Sequence, residues 1–354
     1  MTEAGDGRRI VTLEVPEAWF RDPDDGERHR LFYSSLLAAL ADLDVLLDPV
    51  WLPRGAERAP RPDGAGDVTI SFHSYGAGGD ILRCKEGYIP PFYTMDGMGY
   101  ACFSELASHP DRHADAISRQ DPDRAAAFVQ ALAQDLRQGN RSKYRQPDHR
   151  DHAQTGYLFV PLQVENDSVA QGLWLDTRRA MHCLVEAAAA RGLPVILKRH
   201  PRCKSRSVSR MLAELARRPG VSVSTGSVHS LIADARLVVG ANSGVLFEAL
   251  IQGKPVISYA ASDFGPATQQ VRSYAALAEA IAAPALPDAR FRDRFLFWYL
   301  TEYCVRADDV AAIRRRIGAV LDGSAPAQGS GRNRAYRLRL YAYSLADRLR
   351  KRLF

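Results

Sequence analysis

Two polar segments in the middle of the chain each follow a short apolar run. Lys198 and His200 follow residues 194–197, and Asn242, Ser243 and Gly244 follow residues 237–239. Both runs have the composition of buried parallel strands, and both lead towards helical patterns. In open α/β sheets, ligands bind beyond the carboxyl ends of the strands. We therefore predict a binding site where these polar residues meet.

The residue types at these positions suit a phosphate and a ribose. Gly244 lets the backbone at a helix start approach a phosphate closely, while the Ser243 hydroxyl and free amides donate to it. Lys198 and His200 are further donors to phosphate oxygens. Glu248 lies one helical turn after Gly244 and can accept hydrogen bonds from both ribose hydroxyls. Taken alone, each residue has an ordinary alternative: His200 is typical of a turn, Ser243 of a helix cap and Glu248 of a solvated helix face. Their order along the chain favours a nucleotide site.

Residues 193–259 resemble the C-terminal domain of GT-B glycosyltransferases, in particular the capsule-polysaccharide group that uses CMP-activated sugars. The stretch YLFVPLQVENDS at residues 157–168 is similar to the strand-and-loop signature of the retaining β-Kdo transferases of capsule and O-antigen assembly. The resemblance implies that Asp167 is the nucleophile and that CMP-Kdo is the donor. It also implies a donor-binding set, which comprises Gln163, Lys198, His200, Asn242, Ser243, Gly244 and Glu248.

The chemistry expected of Asp167 agrees with its neighbours in sequence. Retention at an anomeric carbon is most simply achieved by two displacements, and the first needs an ionised carboxylate. Asn166 and Ser168 are potential hydrogen-bond donors beside Asp167, and Lys198 or His200 on a neighbouring strand would favour its charged form. CMP leaves readily once its phosphate is neutralised, but a base is still needed for the acceptor hydroxyl. The alternative is that Asp167 caps a helix over residues 169–190.

A loop in the first half of the chain resembles the acceptor side of the same transferases. Lys85 and Tyr100 belong to the matching run, which departs from the family pattern at residues 101–103. Asp96 and Glu105 are the carboxylates in this Gly-rich, aromatic stretch, and either could be the acceptor's general base. Their ordinary alternatives are a turn at Asp96 and a helix cap at Glu105.

A length of 354 residues predicts two domains. We expect an α/β, GT-B-like fold with two Rossmann-like domains and a cleft between them. The acceptor-binding domain is placed at residues 1–147 and the nucleotide-sugar domain, with crossover helices, at 148–330, and residues 138–143 are interpreted as a linker. Outside the site, the patterns predict strands at residues 10–13 and 68–72, and helices at 31–43, 123–136, 291–300 and 307–321.

Positive charge is concentrated at the C-terminus. From Arg332 to Phe354, eight Arg or Lys residues stand against Asp347, a local charge of +7 in a chain whose net charge is +6. Apolar residues recur there at helical spacing, which predicts a basic amphipathic helix on the inner membrane surface, where lipid-linked acceptors reside. The alternative is a helix packed on the protein. Nucleic-acid binding is not expected, because no recognition motif accompanies this charge.

Composition and motifs also indicate the compartment, the cofactors and the other function classes to consider. The five cysteines lack paired short spacings, so we expect a reducing compartment, no metal and no cofactor beyond the CMP-sugar substrate. No signal peptide or transmembrane run is recognised, which favours a cytoplasmic, peripheral protein whose acceptor is an oligosaccharide or lipid-linked sugar. The other function classes are a transferase for CMP-sialic acid or another nucleotide sugar, a UDP-sugar 2-epimerase-like enzyme, and a non-catalytic nucleotide-binding subunit.

Overall fold

The computed structural model describes residues 8–21, 26–56, 67–76, 78–148, 151, 154–285, 288–323 and 331–353. In these residues it contains twelve β-strands and thirteen α-helices. The strands are β1 (Arg9–Pro16), β2 (Val45–Leu52), β3 (Val68–Phe72), β4 (Ile81–Glu86), β5 (Phe92–Asp96), β6 (Tyr157–Pro161), β7 (Val195–Lys198), β8 (Val221–Ser224), β9 (Ala235–Gly240), β10 (Val256–Ser258), β11 (Gln269–Gln270) and β12 (Cys304–Arg306). The helices are α1 (Glu17–Arg21), α2 (Gly26–Ala41), α3 (Glu105–Ser108), α4 (Ala114–Ser118), α5 (Pro122–Gln138), α6 (Thr177–Ala189), α7 (Arg206–Leu215), α8 (Val228–Asp234), α9 (Gly244–Ile251), α10 (Tyr274–Ala282), α11 (Ala289–Trp298), α12 (Val310–Gly323) and α13 (Gly331–Leu353).

The chain divides into two compact units. The first comprises Met1–Glu86, Tyr93–Tyr100 and Val305–Phe354. Its sheet has the order β12-β5-β4-β3-β1-β2, in which β1 pairs in parallel with β2 and β3, β3 pairs in parallel with β4, and β4 pairs antiparallel with β5. Apolar side chains of α2 and α12 pack with those of β1 and β3 in one core. This unit is an α/β layer structure, as the sequence predicts.

The second unit comprises Gly87–Phe92 and Ala101–Cys304. Its sheet has the order β11-β10-β9-β6-β7-β8, and neighbouring strands in the described residues pair in parallel. Along β6, Tyr157 and Phe159 belong to one hydrophobic core, whereas Leu158 and Val160 belong to another. Because successive side chains of a strand point to opposite faces, the sheet is covered on both sides. This is the arrangement of a doubly wound, Rossmann-like domain.

The strand order of the second sheet reverses beside β6. The chain runs from β6 outward through β7 and β8, and then returns to place β9 on the other side of β6. A crevice forms outside the carboxyl ends of the strands at such a reversal, and ligands bind there. The segments that follow β6 and β9 contain Asp167 and Gly244, respectively.

The division of the chain differs from the contiguous boundaries expected from the sequence. Residues 101–147 belong to the second unit, and residues 305–323 belong to the first. Helix α5 explains the former, because its buried residues Val129, Ala133 and Leu136 lie in a core of the second unit. The segment 138–143, interpreted as a linker, is therefore part of the second unit.

Helix α13 covers most of the C-terminal tail, although Phe354 and the side chains of residues 331–334 and 353 lie outside those described. Near its start, the Tyr336 hydroxyl donates to the carbonyl of Leu47, and Arg337 donates to the carbonyl of Arg8 at 2.6 Å. Further along, five large apolar side chains are exposed, namely Leu338, Tyr341, Tyr343, Leu345 and Leu349. No helix in the described part of the chain combines the length and apolarity needed to cross a membrane.

Candidate functional site

The predicted donor-binding residues follow three adjacent parallel strands of the second unit. Gln163 and Asp167 follow β6, Lys198 and His200 lie at the end of β7, and residues 242–244 follow β9. The carboxyl ends of parallel strands lie on one edge of a sheet. The fold therefore gathers the predicted set at a single edge, next to the reversal of strand order.

The amino terminus of α9 lies at this edge, because α9 begins shortly after the end of β9. The Ser243 hydroxyl accepts a hydrogen bond from the Val245 N–H at 3.4 Å, so Ser243 is the N-cap of the helix that Gly244 begins. The remaining first-turn N–H groups and the helix dipole favour an anion at this point. A Cβ built at Gly244 would lie 3.4 Å from Cδ1 of Tyr88, an ordinary contact, so the fold itself does not exclude alanine there.

Glu248 lies one turn into α9 and is buried, with only 1% exposed. The Ser142 hydroxyl donates to its Oε1 at 2.6 Å. Its Oε2 is buried and has no hydrogen-bond partner among the described residues. Burial raises the pKa of Glu248 to about 8, against the opposing effect of the Ser142 hydrogen bond. The sequence alone did not predict so complete a burial for this carboxyl group.

His200 is held as a neutral ring that can donate one hydrogen bond. The Arg202 N–H donates to its Nδ1 at 3.1 Å, so the proton of the neutral ring lies on Nε2. Burial lowers the pKa of His200 to about 4, although the carboxylate of Asp167 opposes this shift. The cations of Arg202 and Lys143 lower the pKa further. At neutral pH, His200 can therefore donate from Nε2 to a phosphate oxygen.

Lys198 has a partner within the protein. Its Nζ donates to the carbonyl of Gly226, in the loop after β8, at 2.6 Å. Burial lowers the pKa of Lys198, and Asp151 opposes the shift. The Asp151 carboxylate accepts from the N–H groups of Thr225 and Gly226 at 2.6 and 2.8 Å. In this structure Lys198 therefore fixes the loop after β8, and its phosphate contact stays a prediction.

Asn242 connects the start of α9 to the loop that carries Asp167. Its Nδ2 donates to the carbonyl of Val169 at 3.0 Å and to that of Ala261 at 3.1 Å. Its Oδ1 is buried and, within the described residues, has no partner. The same holds for both polar atoms of the Gln163 amide. These unsatisfied atoms lie at the ends of β6 and β9, where the site is predicted.

Asp167 precedes a short 3₁₀ turn, Ser168–Gly172, and its side chain makes no capping hydrogen bond. The Ser168 hydroxyl donates to Asp167 Oδ1 at 3.1 Å. The helix expected over residues 169–190 begins only at Thr177, and its N-cap is Asp176. The alternative role of Asp167, as the cap of that helix, is therefore wrong.

The predicted acceptor-side residues fall in both units. In the second unit, Cys102 Sγ donates to the carbonyl of Val169 at 3.7 Å, which brings the segment before Glu105 against the turn after Asp167. Ser104, and not Glu105, caps α3, since the Ser104 hydroxyl accepts from the Ala107 N–H. Glu105 accepts a hydrogen bond from Arg112 at 2.9 Å.

In the first unit, Asp96 stabilises a turn. Its Oδ1 accepts from the N–H groups of Met98 and Gly99 at 2.6 and 2.7 Å, which supports the turn interpretation. Lys85 and Tyr100 contact each other, with Nζ 5.9 Å from the ring centroid.

Several residues of the site were not predicted. Ser142, Lys143 and Tyr144 follow α5, and Arg202 follows His200. The Tyr144 and His200 rings meet edge to face, with their centroids 5.1 Å apart. The polar composition of residues 140–148 is typical of a linker and of a loop that lines a site, so composition alone did not distinguish them. In the described residues, no group of three or more His, Cys, Asp or Glu side chains is arranged to hold a metal ion.

Two Rossmann-like units in one chain, with polar strand ends gathered beside a helix start, define a protein of the GT-B class. Residues 92–292 match the family model described as capsule polysaccharide biosynthesis protein. Since this match covers more than half of the chain, the protein belongs to that family.

Two solved structures and one curated protein are similar to this chain. The KpsC β-Kdo 2,4 transferase of Thermosulfurimonas dismutans is 15% identical, with a TM-score of 0.51 over 88% of this chain and 98% of that one. The KpsC β-Kdo 2,7 transferase of the same organism is 14% identical, with a TM-score of 0.48 over 86% and 98%. Protein FixF of Sinorhizobium fredii is 33% identical over 175 residues, which are 47% of this chain and 42% of FixF. The chain thus covers less than half the length of this relative, and at 15% identity the 2,4 transferase establishes the fold alone.

Proposed function

We propose that this protein is a glycosyltransferase that moves the ulosonic acid Kdo from CMP-Kdo to a growing surface polysaccharide or glycolipid. Its family is one of capsule polysaccharide biosynthesis, and a structure of the same fold is named as a β-Kdo transferase. These relationships support the reaction class. The arrangement at the edge of the second sheet supports the nucleotide donor.

The unsatisfied polar atoms at this edge are the main observation behind the proposal. They are Oε2 of Glu248, Oδ1 of Asn242 and the amide of Gln163. A buried polar group without a partner costs roughly 1–3 kcal/mol, and in folded proteins such groups are paired with protein groups, ordered water, ions or a ligand. A nucleotide sugar offers both hydroxyl donors and phosphate acceptors in one molecule. Its binding would offset these costs.

The donor is proposed to lie along α9 with its phosphate at the helix start. The backbone N–H groups at Gly244 and the Nε2–H of His200 donate to the phosphate oxygens. Glu248, four residues after Gly244 in the same helix, forms hydrogen bonds with the ribose hydroxyls. Asn242 positions the loop of Asp167 through its hydrogen bond to Val169.

Transfer is proposed to occur with retention in two displacements. In the first, a carboxylate oxygen of Asp167 bonds to the anomeric carbon while the bond from that carbon to the phosphate oxygen breaks, and CMP leaves with the electron pair. In the second, the acceptor hydroxyl oxygen bonds to the same carbon, the bond to Asp167 breaks, and a base takes the hydroxyl proton. Glu105 is the better candidate base, because its segment packs on the turn after Asp167 while Asp96 Oδ1 is engaged in a turn.

A donor-release assay tests this function. CMP release from CMP-Kdo, in the presence of a Kdo-terminated oligosaccharide, is measured for the wild-type protein and for Asp167→Ala. We expect release by the wild type, no release by Asp167→Ala, and retained CMP binding by that variant. UDP-GlcNAc is the control donor. Turnover of UDP-GlcNAc without turnover of CMP-Kdo would contradict the proposal and favour a UDP-sugar enzyme.

The acceptor is proposed to be presented at an anionic membrane surface that α13 contacts. The exposed apolar residues of α13, such as Leu345 and Leu349, lie among the basic residues of the tail, a combination that favours an anionic lipid interface. Cosedimentation with vesicles tests this. We expect binding to vesicles with anionic lipids, which Leu345→Glu with Leu349→Glu should abolish. Equal binding by this double variant would contradict a membrane role for α13.

A further inference from the structure

The segment between α5 and β6 lies across the proposed nucleotide site. We call residues 140–148 the strap. At its ends, the Asn140 Oδ1 accepts from the Ser227 hydroxyl at 2.6 Å, and the Gln146 Oε1 accepts from the Val228 N–H at 3.1 Å. Between them, Nε2 of His229 lies 2.7 Å from the carbonyl of Arg141. The strap is thus fixed to the loop after β8 and to the first turn of α8.

Two side chains of the strap contact the two residues proposed to bind the ribose and the phosphate. Ser142 donates to Oε1 of Glu248 at 2.6 Å. The Tyr144 ring packs edge to face on the His200 ring at an interplanar angle of 83°. The Arg202 guanidinium carbon lies 5.1 Å from the centroid of the Tyr144 ring. The strap therefore lies beside both halves of the proposed ribose-phosphate site.

We infer that the strap is the wall of the nucleoside pocket, with the Tyr144 ring against the nucleobase and Ser142 beside the ribose hydroxyls. This inference rests on the proposed function. Once the phosphate is at His200 and the ribose at Glu248, the base must lie next to the groups that adjoin both residues. The half-buried Tyr144 supplies the aromatic surface on which a base can stack, as in other nucleotide sites.

Ser142 further defines which part of the ligand the strap contacts. Its hydroxyl satisfies Oε1 of Glu248, while Oε2 has no partner among the residues described. A ribose hydroxyl can form a hydrogen bond with Oε2 while Ser142 stays in place. The carboxyl group then makes one hydrogen bond to the strap and one to the ligand, so the strap and the sugar are bound by the same side chain.

Binding of two probes that differ only by the base tests the inference. Dissociation constants for CMP and for ribose 5-phosphate are measured by calorimetry with the wild type and with Tyr144→Leu, which keeps the apolar bulk of the side chain. We expect roughly tenfold weaker CMP binding by this variant, with ribose 5-phosphate binding unchanged. Tyr144→Phe should bind both probes as the wild type does. Arg145→Ala, at an exposed position of the same strap, is the matched control.

Two outcomes would overturn the inference while leaving the proposed function intact. One is equal weakening of both probes by Tyr144→Leu, which would mean that the ring only supports His200. The other is unchanged CMP binding by that variant. A wild-type protein that binds neither CMP nor ribose 5-phosphate would overturn the proposed function itself, and the inference with it.

Discussion

Replacing Glu248 with glutamine should stabilise the protein more at pH 8 than at pH 6. Burial raises the pKa of Glu248 to about 8, from an ordinary value of 4.5. Between these two values the folded protein keeps a proton that the unfolded chain releases. The favourable contribution is therefore complete below pH 4.5 and is lost as the pH rises through 8. Glutamine cannot titrate, but its amide oxygen can still accept the hydrogen bond from Ser142.

The size of the effect follows from the same pKa shift. From pH 6 to pH 8, the linkage lowers the free energy of unfolding of the wild type by about 2 kcal/mol relative to Glu248→Gln. For a chain of this length, that difference corresponds to about 3 °C in Tm. The quantity compared is the Tm of Glu248→Gln minus the Tm of the wild type, at pH 6 and at pH 8. Groups that titrate equally in both proteins shift both Tm values alike and therefore do not affect this difference.

Scanning calorimetry without nucleotide measures this difference. Wild type, Glu248→Gln and the control Glu279→Gln are unfolded at pH 6 and pH 8, where Glu279 is an exposed residue of α10. We expect the Tm advantage of Glu248→Gln to grow by several degrees between the two pH values, and the control to show no such growth. An advantage that is the same at both pH values would refute the claim that Glu248 is a buried acid with a raised pKa.

Three further predictions follow from single contacts of the site. Gly244→Ala should leave the Tm unchanged, because the added methyl group meets only an ordinary contact. The same variant should bind CMP at least tenfold more weakly, because the methyl group blocks the close approach of the phosphate. Equal CMP affinity in a titration would contradict this. Gly172→Ala should lower the free energy of unfolding by roughly 1–3 kcal/mol and reduce transfer, because the new Cβ would lie 2.6 Å from the Cβ of Cys102. A urea titration in which the variant unfolds like the wild type would disprove this prediction. The His200 ring should titrate near pH 4 by NMR, and Asp167→Asn should lower that midpoint further; a midpoint near 6.5 would show that the ring is not buried as described.

The strand ends of the second unit could be predicted because their signals are local. An apolar run followed by a polar turn and a helical pattern marks a parallel strand, and Ser243 before Gly244 marks a helix start. The structure has β9 and α9 on either side of that turn. Strand β3 coincides with the expected residues 68–72, and the predicted helices at 31–43 and 123–136 correspond to α2 and α5 within a few residues.

The strap and the role of Lys198 could not be predicted because they depend on contacts between distant residues. Ser142 and Glu248 are 106 positions apart, and Lys198 reaches a carbonyl in the next strand's loop. Neither the hydrophobic periodicity of the sequence nor the spacing of its residues indicates such a hydrogen bond. The burial of Glu248 has the same origin, since its partner Ser142 lies in the segment 138–143, whose composition predicts a linker.

Local sequence patterns also could not predict where the chain divides into its two units. Helix α5 lies before the expected boundary at residue 147, but its apolar face belongs to a core of the second unit. An amphipathic helix shows which of its faces is buried, and not which sheet it is buried against. In the same way, a continuous pattern over residues 169–190 did not show that α6 begins only at Thr177, behind a cap at Asp176.

The proposed nucleophilic role of Asp167 is tested most directly by intact-mass measurement of the protein after incubation with CMP-Kdo and no acceptor. We expect a species heavier by one Kdo residue, with the added mass on the peptide that contains Asp167. Asp167→Ala should lack this species while still binding CMP, and addition of acceptor should discharge it from the wild type. Transfer from CMP-Kdo by Asp167→Ala at the wild-type rate, or an adduct on a different residue, would contradict the role of Asp167.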